Sequence, residues 1–194
     1  NYSVIVQSSD FCQTKPIAIK INQPDSLYAD LYYSEVTCNG YADAWAHGVA
    51  FGGTTPYKYQ WGNGSTRDSA INLSGGLDSL VLTDANNCRF VKKINILEYP
   101  EVVIDSIVHK NSTCFGFDDG QVEIFARGGK QALFYSKNQG GTYTQFNTFT
   151  KLAPETYYFR VRDINNCTAF DTIKTIEPPE VRVTSIYDST TICV

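Results

Sequence analysis

The chain has 194 residues and a formal net charge of −4, and 42% of its residues are hydrophobic. Acidic and basic side chains are intermixed without a basic stripe, which argues against a nucleic-acid partner. No run approaches the roughly eighteen apolar residues of a membrane-spanning helix, so we expect no direct membrane insertion. Because the chain begins at Asn1 and contains no Met, we interpret it as an internal piece of a longer protein.

The sequence is an internal duplication. Three sets of residues recur at intervals of 76 and 79 residues: Cys12, Cys88 and Cys167; Cys38, Cys114 and Cys193; and Pro24, Pro100 and Pro179. A period this long exceeds that of solenoid repeats, so each repeat is expected to be a small domain with its own core. Complete repeats are predicted at 25–100 and 101–179. Residues 1–24 are predicted to be the C-terminal strands of a preceding repeat, and 180–194 the first strand of a following one.

Short alternating runs separated by Gly, Asn, Asp and Pro predict an all-β chain with negligible helix. In the second repeat we predict strands at 102–113, 121–127, 132–137, 142–151, 156–163 and 168–176. The segments 84–87 and 163–166, Asp-Ala-Asn-Asn and Asp-Ile-Asn-Asn, predict tight turns, because Asn and Asp tolerate a left-handed backbone. Six or seven short strands per repeat indicate tandem immunoglobulin-like antiparallel β-sandwiches.

The aromatic residues of the first repeat fall into two groups. Tyr57, Tyr59 and Trp61 alternate along one strand, which is typical of sandwich core. Trp45 and Phe51 lie on a strand whose other face holds only Ala and Gly. We expect these two side chains to pack in the core, and the alternative is an exposed ledge that binds a sugar or a protein partner.

The cysteines indicate disulfides in an oxidising, extracytoplasmic compartment, because there is no CxxC pair and there are only two histidines. Three pairing schemes remain open. Pairing within repeats would give Cys38–Cys88 and Cys114–Cys167. Strand order places Cys38 and Cys88 at opposite ends of a sandwich, which favours a bridge across the junction from Cys38 to Cys167. The third scheme pairs cysteines 26 residues apart: Cys12–Cys38, Cys88–Cys114 and Cys167–Cys193.

Four acidic residues are weak candidates for calcium ligands: Asp84, Asp163, Asp118 and Asp119. Calcium needs six or more oxygens, whereas each turn offers one Asp and two Asn, so plain turns are the favoured interpretation. The sequence contains no nucleophile elbow, phosphate-binding loop or recurring carboxylate pair. We therefore expect no enzymatic activity, no bound metal and no cofactor.

Three segments, together with the closing Glu-x-Pro, resemble the SprB repeat of large cell-surface adhesins from gliding Bacteroidetes. They are 37–40 (TCNG), 52–61 (GGTTPYKYQW) and 83–88 (TDANNC), and the resemblance covers nearly the whole chain. The second repeat departs from it, since it lacks the Pro and Lys137 stands where the Trp would be. The resemblance implies type IX secretion and an extracellular location on the cell surface, associated with the outer membrane.

One short motif is over-represented, namely Asp followed by Ser or Thr and then a small or aliphatic residue. It is similar to the general O-glycosylation signal of Bacteroidetes periplasmic and surface proteins, although Asp-Ser and Asp-Thr also favour turns. The candidate hydroxyl residues are Ser26, Ser69, Ser79, Ser106, Thr172 and Ser189.

These patterns predict a structural, adhesive segment of a large secreted adhesin that acts as a stiff stalk in surface adhesion and gliding motility. The expected partners are neighbouring repeats of the same chain, with surface polysaccharide and the gliding or secretion machinery as further candidates. The alternatives are a glycan- or polysaccharide-binding module and, less favoured, an accessory domain of a surface enzyme. Trp45 and Trp61 are matched in the second repeat by Gln121 and Lys137, which favours a stalk over a repeated ligand site.

Overall fold

The computed structural model describes residues 2–185, and within them every regular element is a β-strand. The predicted absence of helix is confirmed for this part of the chain, which accordingly contains no helix that could cross a membrane. Ser189, Cys193 and part of the strand predicted at 180–194 lie outside the described residues. The strands are β1 (Tyr2–Val4), β2 (Ile17–Ile19), β3 (Tyr28–Tyr33), β4 (Ala44–Phe51), β5 (Lys58–Trp61), β6 (Ser69–Leu73), β7 (Gly76–Thr83), β8 (Arg89–Ile96), β9 (Val103–Lys110), β10 (Gly120–Arg127), β11 (Phe134–Ser136), β12 (Thr148–Leu152), β13 (Thr156–Arg162) and β14 (Thr168–Lys174).

The chain divides into two compact units. The first comprises residues 1–34 and 44–96, and the second comprises 35–43 and 97–194. The main boundary therefore lies between Ile96 and Leu97, close to the predicted junction. The loop 35–43 belongs to the second unit, although the sequence repeat assigns it to the first.

The first unit contains two three-stranded antiparallel sheets, with strand orders β3-β4-β6 and β5-β7-β8. A separate antiparallel hairpin, β1-β2, pairs Tyr2 with Ile19. The two sheets share a core, because Gly48 of β4 lies beside the side chains of Leu80 of β7 and Trp61 of β5. Buried hydrophobic residues of this unit include Ala29, Ala44, Ala46, Trp61, Ala70, Leu73, Leu80, Leu82, Ile94 and Ile96.

The second unit repeats this arrangement with strand orders β12-β10-β9 and β11-β13-β14. All six predicted strands of the second repeat are present, although the one expected at 142–151 is confined to β12. Tyr157, Phe159 and Val161 are buried, whereas Tyr158 and Arg160 between them are exposed, as the alternation predicts. The predicted tandem immunoglobulin-like antiparallel sandwich is confirmed. Its second core comprises Val102, Val122, Ile124, Tyr135, Leu152, Tyr157, Phe159 and Val161.

Trp61 determines which face of β4 points inward. Its indole is 1% exposed, and a Cβ added to Gly48 would lie 2.8 Å from the Leu80 side chain and 3.6 Å from the indole. The small residues of β4 therefore make room for Trp61. The expectation that Trp45 and Phe51 pack in the core is wrong, because they lie on the opposite face and are 46% and 38% exposed.

The second unit fills the equivalent space from other strands. Its counterparts of Gly48 and Trp61 are Ile124 and Lys137, and Phe159 stands in place of Leu80. Ile124 is 0% and Phe159 1% exposed. The side-chain volume that Trp61 provides from β5 in the first unit is therefore provided in the second unit by residues of β10 and β13. The two cores are thus matched in fold but not in residues.

Each unit has a pair of adjacent glycines, Gly52-Gly53 in the first and Gly128-Gly129 in the second, where the chain passes very close to other atoms. In the second unit both have positive φ, 85° at Gly128 and 68° at Gly129. A Cβ on Gly128 would lie 1.8 Å from the carbonyl oxygen of Glu101, and one on Gly129 would lie 2.7 Å from Cβ of Asp163. Glycine is required there on both grounds.

Candidate functional site

Each hairpin cysteine closes a turn organised by a buried carboxylate; we call the segments 84–88 and 163–167 the cysteine turns. Asp163 is 2% exposed, and its Oδ1 accepts the backbone N–H groups of Asn165 and Cys167, both at 2.9 Å. Its Oδ2 accepts the N–H of Lys130 at 2.8 Å. One side chain thereby fixes the cysteine backbone and ties the turn to the segment after the paired glycines.

The cysteine turn of the first unit has the same construction. Asp84 accepts N–H groups from Asn86 at 2.9 Å, Cys88 at 2.8 Å and Thr54 at 2.9 Å. Burial acts to raise the pKa of Asp84, but these N–H donors outweigh it and hold the pKa below its usual value. The φ of 60° at Asn87 confirms the predicted left-handed turn.

The hairpin β1-β2 contains a third turn of this form, with Ser8 in place of Asp. The N–H of Cys12 donates to Ser8 Oγ at 3.3 Å, and the N–H of Ser8 donates to the Cys12 carbonyl at 2.9 Å. Phe11 has a φ of 64°, like the Asn before each of the other turn cysteines.

Cys38 lies in a separate loop; we call residues 35–43 and their counterparts 111–119 the cysteine loops. In the first loop, the N–H of Thr37 donates to Asp43 Oδ1 at 3.0 Å and its hydroxyl donates to Oδ2. These bonds hold the pKa of Asp43 below its usual value. The N–H of Gly40 donates to Glu98 Oε1 at 2.6 Å.

The second cysteine loop is held in the same way. The N–H of Thr113 donates to Asp119 Oδ1 at 2.9 Å, its hydroxyl donates to Oδ2 at 2.5 Å, and the N–H of Gly116 donates to Glu177 at 2.7 Å. Asp119, a weak calcium candidate, therefore closes this loop. Among residues 2–185 no three His, Cys, Asp or Glu side chains are grouped to hold a metal ion.

Cys38 and Cys167 form a disulfide with Cα atoms 5.6 Å apart. The predicted bridge across the junction of the sequence repeats is confirmed, and it lies within the second compact unit. The two other pairing schemes are wrong, because Cys38 belongs to a different compact unit from Cys88, and Cys12, Cys88 and Cys114 are exposed free thiols.

Polar contacts surround the disulfide; we call the first cysteine loop, the turn 163–167 and these contacts the joint. The Asn165 side-chain amide donates to the Thr37 carbonyl at 2.9 Å. Glu35 forms an ion pair with Lys130, whose ammonium also lies 5.1 Å from the ring centroid of Tyr99. The hydrogen bond to Glu35 raises the pKa of Lys130.

Sequence reasoning missed the Glu35–Lys130 pair, since its members are 95 residues apart and neither recurs in the other repeat. The regular cysteine spacing and the strand order were the signals that pointed to this region. The loop's own bonds, by contrast, recur at an interval of 76 residues and could have been inferred from the repetition of Thr and Asp.

The exposed face of the sheet β3-β4-β6 carries aromatic side chains, which we call the aromatic ledge: a stacked pair at one end of β4 and Trp45 towards the other. The rings of Tyr28 and Phe51 stack with centroids 5.0 Å apart and an interplanar angle of 18°. Trp45 lies on the same face of β4 as Phe51 and is 46% exposed. The second unit has Gln121 and Arg127 at the positions of Trp45 and Phe51, so this ledge is not repeated.

The candidate glycosylation residues differ in accessibility. Ser26, Ser106 and Thr172 are exposed. Ser69 and Ser79 are partly buried, and Ser69 Oγ also lies 2.9 Å from a ring nitrogen of His47. Accessibility therefore favours the first three.

Comparison with known proteins gives little further information. No protein-family profile and no curated protein matches this chain. Among solved structures, it is similar to the C-terminal 282-residue fragment of intimin in complex with the translocated intimin receptor (Tir) intimin-binding domain. The identity is 16% and the TM-score 0.46, over 80% of this chain and 64% of that chain. A likeness of that degree carries no functional argument.

Proposed function

We propose that this chain is a stalk segment of a secreted cell-surface adhesin, which holds a binding tip away from the cell and transmits tension. The observation that carries the proposal is the Cys38–Cys167 disulfide, which spans 129 residues. When the chain is pulled from its ends, the covalent path crosses this bridge. The residues between the two cysteines are then excluded from the extended path.

The distribution of shared features supports a structural role. The two repeats have in common the cysteine turn, the cysteine loop and the paired glycines, all of which are internal supports. The exposed aromatic ledge and the core side chains differ between them. A spacer requires the internal supports to recur from repeat to repeat, whereas a repeated ligand site would require the repeats to share an exposed surface. The proposal includes no catalytic role.

The disulfide supports an extracytoplasmic location, since such bonds persist in oxidising compartments. Together with the SprB resemblance of its motifs, the disulfide supports the proposal that the parent protein lies on the outer surface of a gliding bacterium and is exported by type IX secretion. Its partners are then neighbouring repeats, the motility machinery and surface polysaccharide.

Antibody labelling of intact cells of the native host tests the proposal. We expect labelling without permeabilisation, and weaker adhesion under flow when C38S and C167S are introduced together into the parent gene. The amount of protein on the surface should stay unchanged in that variant. Labelling that requires permeabilisation would contradict the location, and unchanged adhesion would contradict the mechanical role.

The exposed aromatic ledge favours a second candidate, a glycan-binding module. Stacked and exposed rings such as Tyr28, Phe51 and Trp45 offer an apolar face of the kind that sugar rings contact. Titration with bacterial polysaccharide, followed by Trp fluorescence, should then report on Trp45, because Trp61 is buried. In calorimetric titrations, which do not depend on a Trp reporter, W45A should abolish binding, whereas F170A, which removes a 79% exposed ring elsewhere, should leave it intact.

A further inference from the structure

Among the described residues, the structure contains one complete joint, and the loop 111–119 and the turn 84–88 are two matching halves that take no part in it. The loop 111–119 has the hydrogen bonds of the loop 35–43, and its Cys114 is an exposed free thiol. The turn 84–88 has the hydrogen bonds of the turn 163–167, and its Cys88 is also an exposed free thiol. The formed joint shows how a loop and a turn of this construction fit together.

We propose that the loop 111–119 of one copy of this chain docks on the turn 84–88 of a second copy, where a Cys114–Cys88 disulfide joins them. The main polar contact of the joint can be reproduced. In the formed joint the Asn165 amide donates to the Thr37 carbonyl at 2.9 Å, and the corresponding residues are Asn86 and Thr113.

Asn86 is available for that contact. Its side-chain amide donates one hydrogen bond to Thr54 Oγ1 at 2.9 Å, and an amide nitrogen carries two hydrogens. The second hydrogen can be donated to a docked carbonyl without loss of the hydrogen bond to Thr54. The inference rests on this internal template and holds whether or not the parent protein is an adhesin.

The receiving surface is open. A cleft of about 280 Å³ lies beside the turn 84–88 and is lined by residues that include Gln23, Asp25 and Asn86. Gln23 holds the position of Tyr99, whose hydroxyl donates to Glu35 of the docked loop at 3.3 Å in the formed joint. The cleft therefore lies where the formed joint accommodates its loop.

The second joint differs from the first in charge. Asn111 and Thr54 occupy the positions of Glu35 and Lys130, so the ion pair has no counterpart. Docking before the disulfide forms should therefore depend little on salt, because no charged pair contributes to it. The covalent bond has to supply most of the stability of this joint.

The bond forms by two thiol–disulfide exchanges with a small-molecule disulfide such as oxidised glutathione. The Cys88 thiolate attacks one sulfur of the oxidant, which gives a mixed disulfide and releases one glutathione. The Cys114 thiolate of the docked loop then attacks the Cys88 sulfur and releases the second glutathione. Two protein thiols are oxidised, one disulfide is reduced, and both protons leave with the released thiols or the solvent.

Such an interface is heterologous, since the loop of each copy meets the turn of the next, and it generates open linear assemblies. The test uses the full chain in a C12S/C193S background, where Cys88 and Cys114 are the remaining thiols outside the formed disulfide. One sample carries C88S, a second carries C114S, and a third is their equimolar mixture, all in a glutathione redox buffer.

We expect the mixture to form a dimer linked from Cys114 to Cys88, as peptide mapping would show, and each single sample to remain largely monomeric. Without either substitution the chain should form a ladder of linear oligomers. Homodimers of C88S or C114S in the statistical proportions of random collision would overturn the proposal, as would a mixture that remains monomeric.

A second variant separates docking from simple thiol reactivity. N86A should slow dimer formation in the mixture about five-fold, the effect of losing one hydrogen bond of ordinary strength. The matched control is N95A, an exposed Asn on β8 outside the turn, which should leave the rate unchanged. Equal rates for N86A and the parent would show that the contact copied from the formed joint does not guide the reaction.

Discussion

A buried carboxylate organises each cysteine turn, and this is the feature that places the turn thiols. Asp84 and Asp163 each accept three backbone N–H groups, two from within the turn and one from the segment that follows the paired glycines. An ionised carboxylate accepts such bonds more strongly than a neutral one, so at Asp84, whose pKa the bonds lower, turn geometry and ionisation are coupled.

The pH dependence of folding should reveal this coupling at Asp84. Its pKa is lowered in the folded state from about 3.8, so its contribution is fully present above that value and is lost as the pH falls through the lower folded pKa. The difference in unfolding free energy between the parent and D84N should therefore shrink below about pH 4. Urea unfolding from pH 3 to 7 measures it, and D30N, on the exposed Asp30 of β3, is the control. A difference that is independent of pH would contradict the assignment.

Gly128 combines a positive φ with a close contact to backbone atoms, which cannot move aside as a flexible side chain could. In G128A the new Cβ would meet the Glu101 carbonyl oxygen at 1.8 Å, so we expect a loss of about 3 kcal/mol in unfolding free energy, the sum of backbone strain and overpacking. Gly64 provides the matched control, because its φ is 90° but its added Cβ would meet nothing within 4 Å. G64A should cost only the conformational part. Equal losses in chemical denaturation would rule out the clash.

At the scale of elements, the two units reach the same fold through different distributions of side-chain volume. The strand β4 is small on its inward face because Trp61 of β5 crosses the core, whereas β10 carries Ile124 and faces Phe159 of β13. Close packing explains the exchange, since a volume change on one strand has to be matched on another.

The exchange predicts non-additive mutations. W61A should cost about 3–5 kcal/mol through the cavity it leaves, and G48V should also destabilise, because its side chain would overlap Leu80 and the indole. In the double variant the valine enters the space left by the indole. We therefore expect its loss to be smaller than the sum by about 1–2 kcal/mol in denaturant titrations. Additive losses would show that the two positions do not share a cavity.

The sequence predicts the repeat and the strands of the second repeat, because each leaves a periodic signal that can be read from one chain. It favours the Cys38–Cys167 bridge among three open pairings through strand order, and that bridge is present. It does not predict the assignment of loop 35–43 to the second compact unit, nor the Glu35–Lys130 pair, since both depend on contacts between distant segments. The prediction for Trp45 is wrong for another reason. Alternation separates the two faces of a strand, but it does not tell which face is buried when side chains of other strands fill the core.

At the scale of the whole molecule, the chain passes between its compact units three times, after residues 34, 43 and 96, and the Cys38–Cys167 disulfide lies in the second unit. Cys38 lies in the loop 35–43, between the first two of these crossings. Its bridge to Cys167 forms a covalent shortcut that bypasses the residues between the two cysteines. When the chain is pulled from its ends, the covalent path runs through this shortcut and not through the residues it encloses, which is what the proposed stalk role requires.

Single-molecule stretching of the chain, held at its two ends, tests this claim most directly. With the disulfide intact, complete unfolding should release a contour length shorter than that of the C38S/C167S variant by about 430–460 Å. That figure is the span of 129 residues at roughly 3.3–3.6 Å each. Addition of reductant to the parent should restore the missing length. Equal contour lengths for the non-reduced parent and the variant would contradict the account.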